Sequence, residues 1–160
     1  MKKYIIILIL IALTLTGCGI YNLNSFILPD DLEFIQTIEQ LDTPEKICQY
    51  MKENFIYKAH YIYAPDPYTF WKIKKGDCND FATFGKFIAE YNGYKSYLAV
   101  IYFTNIKDTH IIAIYEENGR YNYSSNWEYF PIAVETIDKI IEHYNIYDYI
   151  NNVSRYEVID

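Results

Sequence analysis

Basic residues are scarce in this sequence, with 14 Lys and Arg against 21 Asp and Glu and a formal net charge of −7. A chain this acidic lacks the positive surface on which nucleic-acid binding depends, so we expect no nucleic-acid partner. Its one long apolar run, Tyr4–Thr16, is shorter than the roughly 20 residues of a transmembrane helix. Internal repeats, low-complexity tracts and Cys/His spacings typical of zinc sites are also missing, so we expect no metal and no cofactor.

Two lysines precede the apolar run, as in a secretory signal peptide. The run ends in Leu15-Thr16-Gly17-Cys18, which resembles the lipobox read by bacterial lipoprotein signal peptidase. The resemblance implies that residues 1–17 are removed, that Cys18 is lipidated, and that residues 18–29 tether the protein to the extracytoplasmic face of the cell membrane. The alternative is an uncleaved N-terminal anchor helix, because short motifs are fallible. Because an acidic protein is repelled by anionic lipids, the acyl chains would do the anchoring.

Two cysteines remain, Cys48 and Cys78. Cys48 falls on the apolar stripe of a helix at i, i+1, i+4 and i+8 spacing, which indicates a small core residue. A Cys48–Cys78 disulfide is the alternative in an exported protein.

Apolar periodicity and turn residues predict that residues 30–160 form one domain of helices followed by a sheet. Helices are expected after Asp30-Asp31, from Thr43-Pro44 to about Phe55, from Cys78 to Asn92-Gly93, and around Ile137–Tyr144. Strands are expected at 97–103, 109–115, 120–124 and 156–159, and residues 56–70 are predicted to be an aromatic-rich loop. This order of elements favours the α+β class.

Cys78 follows Gly76 and Asp77 at the expected start of a helix. Free backbone N–H groups and the positive end of the helix dipole favour a thiolate there. Such a position can lower a thiol pKa from about 8.5 to roughly 3.5–7.5. The sequence therefore predicts a nucleophile, with a buried structural cysteine as the alternative.

A cysteine nucleophile needs a base and a group that orients the base. His110 begins the first strand of a hairpin whose turn is Asn118-Gly119. A two-residue loop places Ser125 on the face of His110, whereas a three-residue loop with a glycine bulge sets Asn126 directly opposite. Because an amide oxygen can accept from an imidazole N–H, we predict the bulged register with Asn126 as the orienting residue and Ser125 as the alternate.

Taken together, these residues resemble the transglutaminase-like core of papain-type cysteine enzymes. The resemblance covers roughly residues 40–127 and is carried by Gly76-Asp77-Cys78-Asn79-Asp80-Phe81-Ala82, His110-Ile111-Ile112-Ala113-Ile114 and Gly119-x-Tyr121. It implies a nucleophile helix packed on an antiparallel sheet, with Cys78, His110 and Asn126 in catalytic order. The usual aspartate is absent from the third position, and Ile111 replaces the aromatic residue that often follows the histidine.

By this resemblance, the thiolate of Cys78 attacks a carboxamide of a peptide or protein, and the acyl-enzyme is released by hydrolysis. Trp71 or Tyr68, just upstream, is a candidate oxyanion donor or substrate-groove residue, although both also suit an aromatic core. Alternatives are transamidation, a cell-wall peptide hydrolase, and a non-catalytic binding lipoprotein that keeps the fold.

Overall fold

The computed structural model describes residues 23, 26–60, 64–147 and 152–160. The predicted lipidation site, Cys18, and most of the tether lie outside these residues. The helices are α1 (Leu32–Gln40), α2 (Pro44–Asn54), α3 (Pro67–Ile73), α4 (Cys78–Tyr91) and α5 (Ile137–Tyr147). The strands are β1 (Ile56–Tyr57), β2 (Lys75–Gly76), β3 (Lys95–Phe103), β4 (Thr109–Glu117), β5 (Arg120–Ser125), β6 (Glu128–Val134) and β7 (Val153–Ile159).

A five-stranded antiparallel sheet, ordered β6-β5-β4-β3-β7, forms the centre of the fold. The short strands β1 and β2 pair in parallel beside it. Helices precede the sheet along the chain, and α5 follows the hairpins, so the predicted α+β class with an antiparallel sheet is confirmed. None of the helices in the described part of the chain has the length and apolar character needed to cross a membrane.

Local cap residues explain where the first four helices begin. The side chains of Asp31, Thr43, Asp66 and Asp77 each accept a backbone N–H from the first turn of the helix that follows. Such caps satisfy donors that have no partner within the helix. Proline is the first residue of both α2 and α3, where its missing N–H costs nothing.

Each face of the sheet carries its own apolar cluster. Alternation along β4 directs Ile111, Ala113 and Tyr115 toward the face covered by α4, where they pack with helix residues such as Phe81, Phe84 and Ile88. The other face carries Ile112 and Ile114 together with α5 residues Ile140, Ile141 and Tyr144. Helix α4, which begins with Cys78, therefore packs on one face of the antiparallel sheet, as the sequence predicts.

Two predictions about the chain were wrong in detail. Residues 56–70, predicted to be a loop, contribute β1 and the start of α3, because Asp66-Pro67 acts as a helix start rather than as a helix breaker. Strand β6 was not predicted from the sequence.

The prediction that Cys48 is a core residue is confirmed, since it is 2 % exposed. Both Cys48 and Cys78 are free thiols, so the alternative of a disulfide between them is excluded.

Candidate active site at the N-terminus of helix α4

Cys78 is the first residue of α4 and is partly exposed. Asp77 caps the helix by accepting the Asn79 N–H at 3.0 Å, and the Asp80 carboxylate accepts the Asp77 N–H at 2.8 Å. This reciprocal arrangement is a capping box. It fixes the backbone on both sides of the cysteine.

Gly76 is required by the same arrangement. A Cβ at this position would overlap the Asp80 carboxylate and would lie 2.7 Å from the Phe70 ring. Any side chain at this position would therefore displace the carboxylate that completes the cap, so the Gly-Asp-Cys segment is a packed unit.

His60 joins this unit from residues 56–70, which the sequence predicts to be a loop. Its Nε2 lies 2.6 Å from Asp80 Oδ2 and 3.9 Å from Asp77 Oδ2. Burial raises the pKa of the Asp80 carboxyl despite its hydrogen bonds. Burial lowers the pKa of His60, but the hydrogen bond and the charges of the two aspartates outweigh it, so the net shift is upward.

Because the partners are 17 and 20 residues from His60, nothing in the sequence indicated this contact. In the described part of the chain, His60, Asp77 and Asp80 are also the one group of three side chains with donor atoms close enough to hold a metal ion, all within 4.8 Å of one another. The same atoms already form the helix cap and the ion pairs described above.

The topology places His110 at the same end of the domain as Cys78. A Cβ at Gly85 would lie 2.6 Å from the Tyr115 hydroxyl and 3.8 Å from the Ala113 Cβ, so the middle of α4 lies over these β4 residues. Cys78 is seven residues before Gly85, about 10 Å along a helix. His110 is three residues before Ala113, about 10 Å along a strand.

The second hairpin provides a further link to this end of α4. Trp127 follows the end of β5, and its ring centroid lies 5.2 Å from that of Phe81, in the first turn of the helix.

His110 lies in the β3–β4 ladder opposite Ile101. Alternation puts its side chain on the α5 face, where the ring stacks on Tyr144 at a centroid distance of 5.7 Å and an interplanar angle of 17°. Its Nε2 lies 2.9 Å from the Ser125 hydroxyl oxygen. Helix α4 covers the opposite face of the sheet. The imidazole of His110 can therefore approach Cys78 only past the N-terminal end of β4.

The predicted hairpin register was wrong. Glu117 pairs with Arg120, and Ser125 pairs with Ile112, so the loop contains two residues. Both loop residues have positive φ, 55° at Asn118 and 74° at Gly119. Asn-Gly adopts this turn readily, and its twist matches that of the flanking strands better than a bulged loop would. The alternate residue, Ser125, therefore contacts His110.

Asn126, the predicted orienting residue, lies in the next turn with a φ of 52°. Its Oδ1 is buried and has no hydrogen-bond partner among the described residues. Its amide oxygen therefore does not hold the imidazole in this structure.

The two candidate oxyanion donors are engaged elsewhere. The Trp71 indole N–H donates to the Tyr50 hydroxyl at 2.8 Å, and the Tyr68 hydroxyl donates to Asp31 at 2.6 Å. Both rings pack on Phe34 of α1. Neither side-chain donor is available to an oxyanion, and both residues belong to the aromatic core beside α4.

The fold and the site together define a class, namely an α+β domain with a cysteine at the start of the helix that packs on its antiparallel sheet. The chain belongs to the transglutaminase-like domain family, whose family model matches residues 30–147. Comparison with curated proteins gave no match.

Solved structures with a similar fold include LapG of Legionella pneumophila, with 16% identity over 61% of this chain and a TM-score of 0.47. A calcium-bound LapG structure aligns with the same identity and coverage at a TM-score of 0.48. A provisionally assigned cysteine protease from Cytophaga hutchinsonii aligns over 64% of this chain and 44% of its own, with 14% identity and a TM-score of 0.47. The chain spans 62% of the length of LapG.

Proposed function

We propose that this protein is a cysteine-dependent peptidase or amidase held at the extracytoplasmic face of a bacterial membrane by a lipid on Cys18. The observation that carries the enzymatic part is the partly exposed thiol of Cys78 at a capped helix N-terminus, at the same end of the domain as the His110–Ser125 pair. A nucleophile, a base and a group that orients the base are the parts that acyl transfer through a thiol requires.

The proposed reaction has two steps. The thiolate sulfur of Cys78 attacks the carbonyl carbon of a carboxamide, and the His110 imidazolium gives its proton to the leaving amine. Water then attacks the thioester, His110 takes a proton from that water, and the carboxylic acid leaves as the C–S bond breaks, which restores the Cys78 thiolate and the His110 imidazolium. Since Nε2 contacts Ser125, Nδ1 is the nitrogen that would serve the thiol.

The two acids near the nucleophile are held by local partners. Asp77 and Asp80 flank Cys78, and free carboxylates there would disfavour a thiolate. The Asp77 carboxylate instead caps α4, and the Asp80 carboxylate is paired with His60 at 2.6 Å. His60 therefore supports the nucleophile indirectly, by offsetting the charge of the buried Asp80 carboxylate.

The test is labelling by an acyl-amide probe that reacts only with an activated thiol, applied to wild type, Cys78→Ala and His110→Ala. We expect labelling to disappear in Cys78→Ala and to slow about a hundredfold or more in His110→Ala, where a hundredfold is the lower end of the contribution of a general acid or base. Full-rate labelling of His110→Ala would contradict the mechanism. Incorporation of a palmitate analogue into wild type but not Cys18→Ser tests the lipid anchor.

A non-catalytic binding lipoprotein is the second candidate. The residue that contacts His110 is the neutral Ser125, and a hydroxyl stabilises an imidazolium less than a carboxylate does. The pH dependence of Cys78 alkylation separates the two functions. A titration midpoint equal to that of free cysteine, and unchanged in His110→Ala, would favour the binding protein.

A further inference from the structure

Strand β6 has a free edge that opens into a groove leading away from the candidate site. In the described part of the chain, β6 is the last strand of the sheet and pairs only with β5. Helix α2 packs beside it. The space between them has a volume of about 550 Å³, and its walls include Glu45, Lys52, Trp127, Tyr129, Pro131 and Tyr147. We call this space the β6 groove.

The groove lies near the candidate site. Trp127, in its wall, contacts Phe81 in the first turn of α4. It lies two residues after Ser125, the residue that contacts His110. From Glu128 to Pro131 the strand covers about 10 Å, the length of about three residues of an extended peptide.

The pairing register between β5 and β6 shows which backbone groups of β6 face away from β5. Ser125 and Glu128 flank a two-residue turn and form the first pair of the β5–β6 ladder. That pair exchanges both backbone hydrogen bonds, so the N–H and C=O of the next residue, Tyr129, point away from β5. Pro131 has no N–H to offer. The edge can therefore pair fully with one residue of an added strand, and Pro131 limits further pairing.

The charged side chains around the groove favour a peptide with a positive charge. Glu45 and Glu128 are exposed carboxylates at the groove, and Lys52 is its one lysine. Tyr147 donates to Glu128 at 2.5 Å, which holds that carboxylate beside the strand. Aromatic rings such as those of Trp127 and Tyr129 also attract cations.

From this arrangement we propose that the β6 groove binds the substrate as an extended peptide with a basic side chain, paired to the backbone of Tyr129. The proposal rests on the proposed hydrolase function for the identity of the ligand as substrate. Strand addition to a free edge is a general mode of peptide recognition, in which the backbone supplies affinity and side-chain contacts supply specificity.

Binding is tested on the full chain carrying Cys78→Ala, so that no turnover is required. The probe is a fluorescein-labelled octapeptide of Ala, Val and Gln with one Lys, compared with the same peptide carrying Glu in its place. We expect the Lys peptide to bind up to about fivefold more tightly, since an exposed ion pair contributes at most about that factor. Glu45→Gln with Glu128→Gln should abolish the preference, while Glu33→Gln, exposed on α1, should keep it. Equal binding of the two peptides overturns the proposal.

Backbone pairing is tested on the ligand, which avoids perturbing the fold. N-methylation of the Lys peptide at successive residues should weaken binding at the residue opposite Tyr129 and at most at one residue two positions away, whose N–H can reach the Pro131 carbonyl, because neighbouring N–H groups face away from the edge. A uniform effect, or no effect, overturns strand addition. A dimer in light scattering that the peptide does not dissociate would assign the edge to a second copy of the chain and also overturn the proposal.

The outcomes separate this proposal from the proposed function. Charge-dependent peptide binding without turnover in the wild type would support peptide binding in the β6 groove and contradict the proposed enzymatic activity. Turnover that is insensitive to Glu45→Gln and Glu128→Gln would support the proposed enzymatic activity and contradict substrate binding in the β6 groove.

Discussion

The hydrogen bond between His110 and Ser125 makes the orienting role testable by substitution. Ser125→Ala removes a contact of 2.9 Å to Nε2. A neutral hydrogen bond of this kind contributes about 1 kcal/mol, so we expect the alkylation rate of Cys78 near pH 7 to fall about fivefold. Ser125→Asp should instead raise the pKa of His110, because a charge-assisted hydrogen bond is roughly twice as strong as a neutral one.

The assay is stopped-flow or quenched alkylation of Cys78 by iodoacetamide between pH 5 and 9, with stability followed by urea unfolding. Ser125 lies opposite Ile112 at the edge of the α5 face, so a carboxylate there loses part of its hydration. Ser125→Asp is therefore expected to lower the free energy of unfolding while increasing thiolate reactivity at low pH.

Asn126→Ala is the matched control, one residue further along the chain. We expect it to change the alkylation rate less than twofold, because its amide oxygen has no hydrogen-bond partner among the described residues. If Asn126→Ala slows alkylation fivefold and Ser125→Ala does not, the assignment of Ser125 as the orienting residue is refuted.

Three further outcomes follow from the structure. Gly85→Ala should place a Cβ 2.6 Å from the Tyr115 hydroxyl. Because overpacking of a core site is destabilising, we expect the free energy of unfolding, measured by urea denaturation, to fall by about 1–3 kcal/mol. The pKa of His60 is raised in the folded state, so its stabilising contribution is full below about pH 6.5 and is lost as the pH rises through the folded value. His60→Gln should therefore reduce the melting temperature more at pH 5.5 than at pH 8.5, and an equal loss at both would contradict the charged pair. Burial raises the pKa of Cys48 to about 12, so mass spectrometry after brief alkylation of the native protein should find Cys78 modified and Cys48 intact.

Elements with strong local signals could be predicted from the sequence. Thr43-Pro44 marks the start of α2, and Asn92-Gly93 follows the end of α4, as the structure has them. Strand β6 gave no such signal, because Pro131 lies inside it and both of its faces are partly buried. Its existence depends on pairing with β5, which is a tertiary effect.

The candidate site was predictable in part for the same reason. Cys78 and His110 stand out by residue type and local context, whereas the partner of His110 depends on one residue of register in a hairpin. Chemical preference for an amide favoured Asn126, but the twist of the Asn118-Gly119 turn determined the register. The contact of His60 with Asp80 joins residues 20 positions apart, and no local pattern encodes it.

The close approach of Gly76 to the Asp80 carboxylate bears on how sequences of this family are interpreted. Glycine at 76 and acids at 77 and 80 are demanded by steric fit and helix capping, whatever the side chain at position 78 does. A relative that had exchanged its cysteine for serine or alanine is therefore expected to retain the surrounding Gly-Asp-x-x-Asp pattern. Profiles built on that pattern therefore detect the architecture, and under the function proposed above the side chains at positions 78 and 110 would distinguish active from inactive relatives.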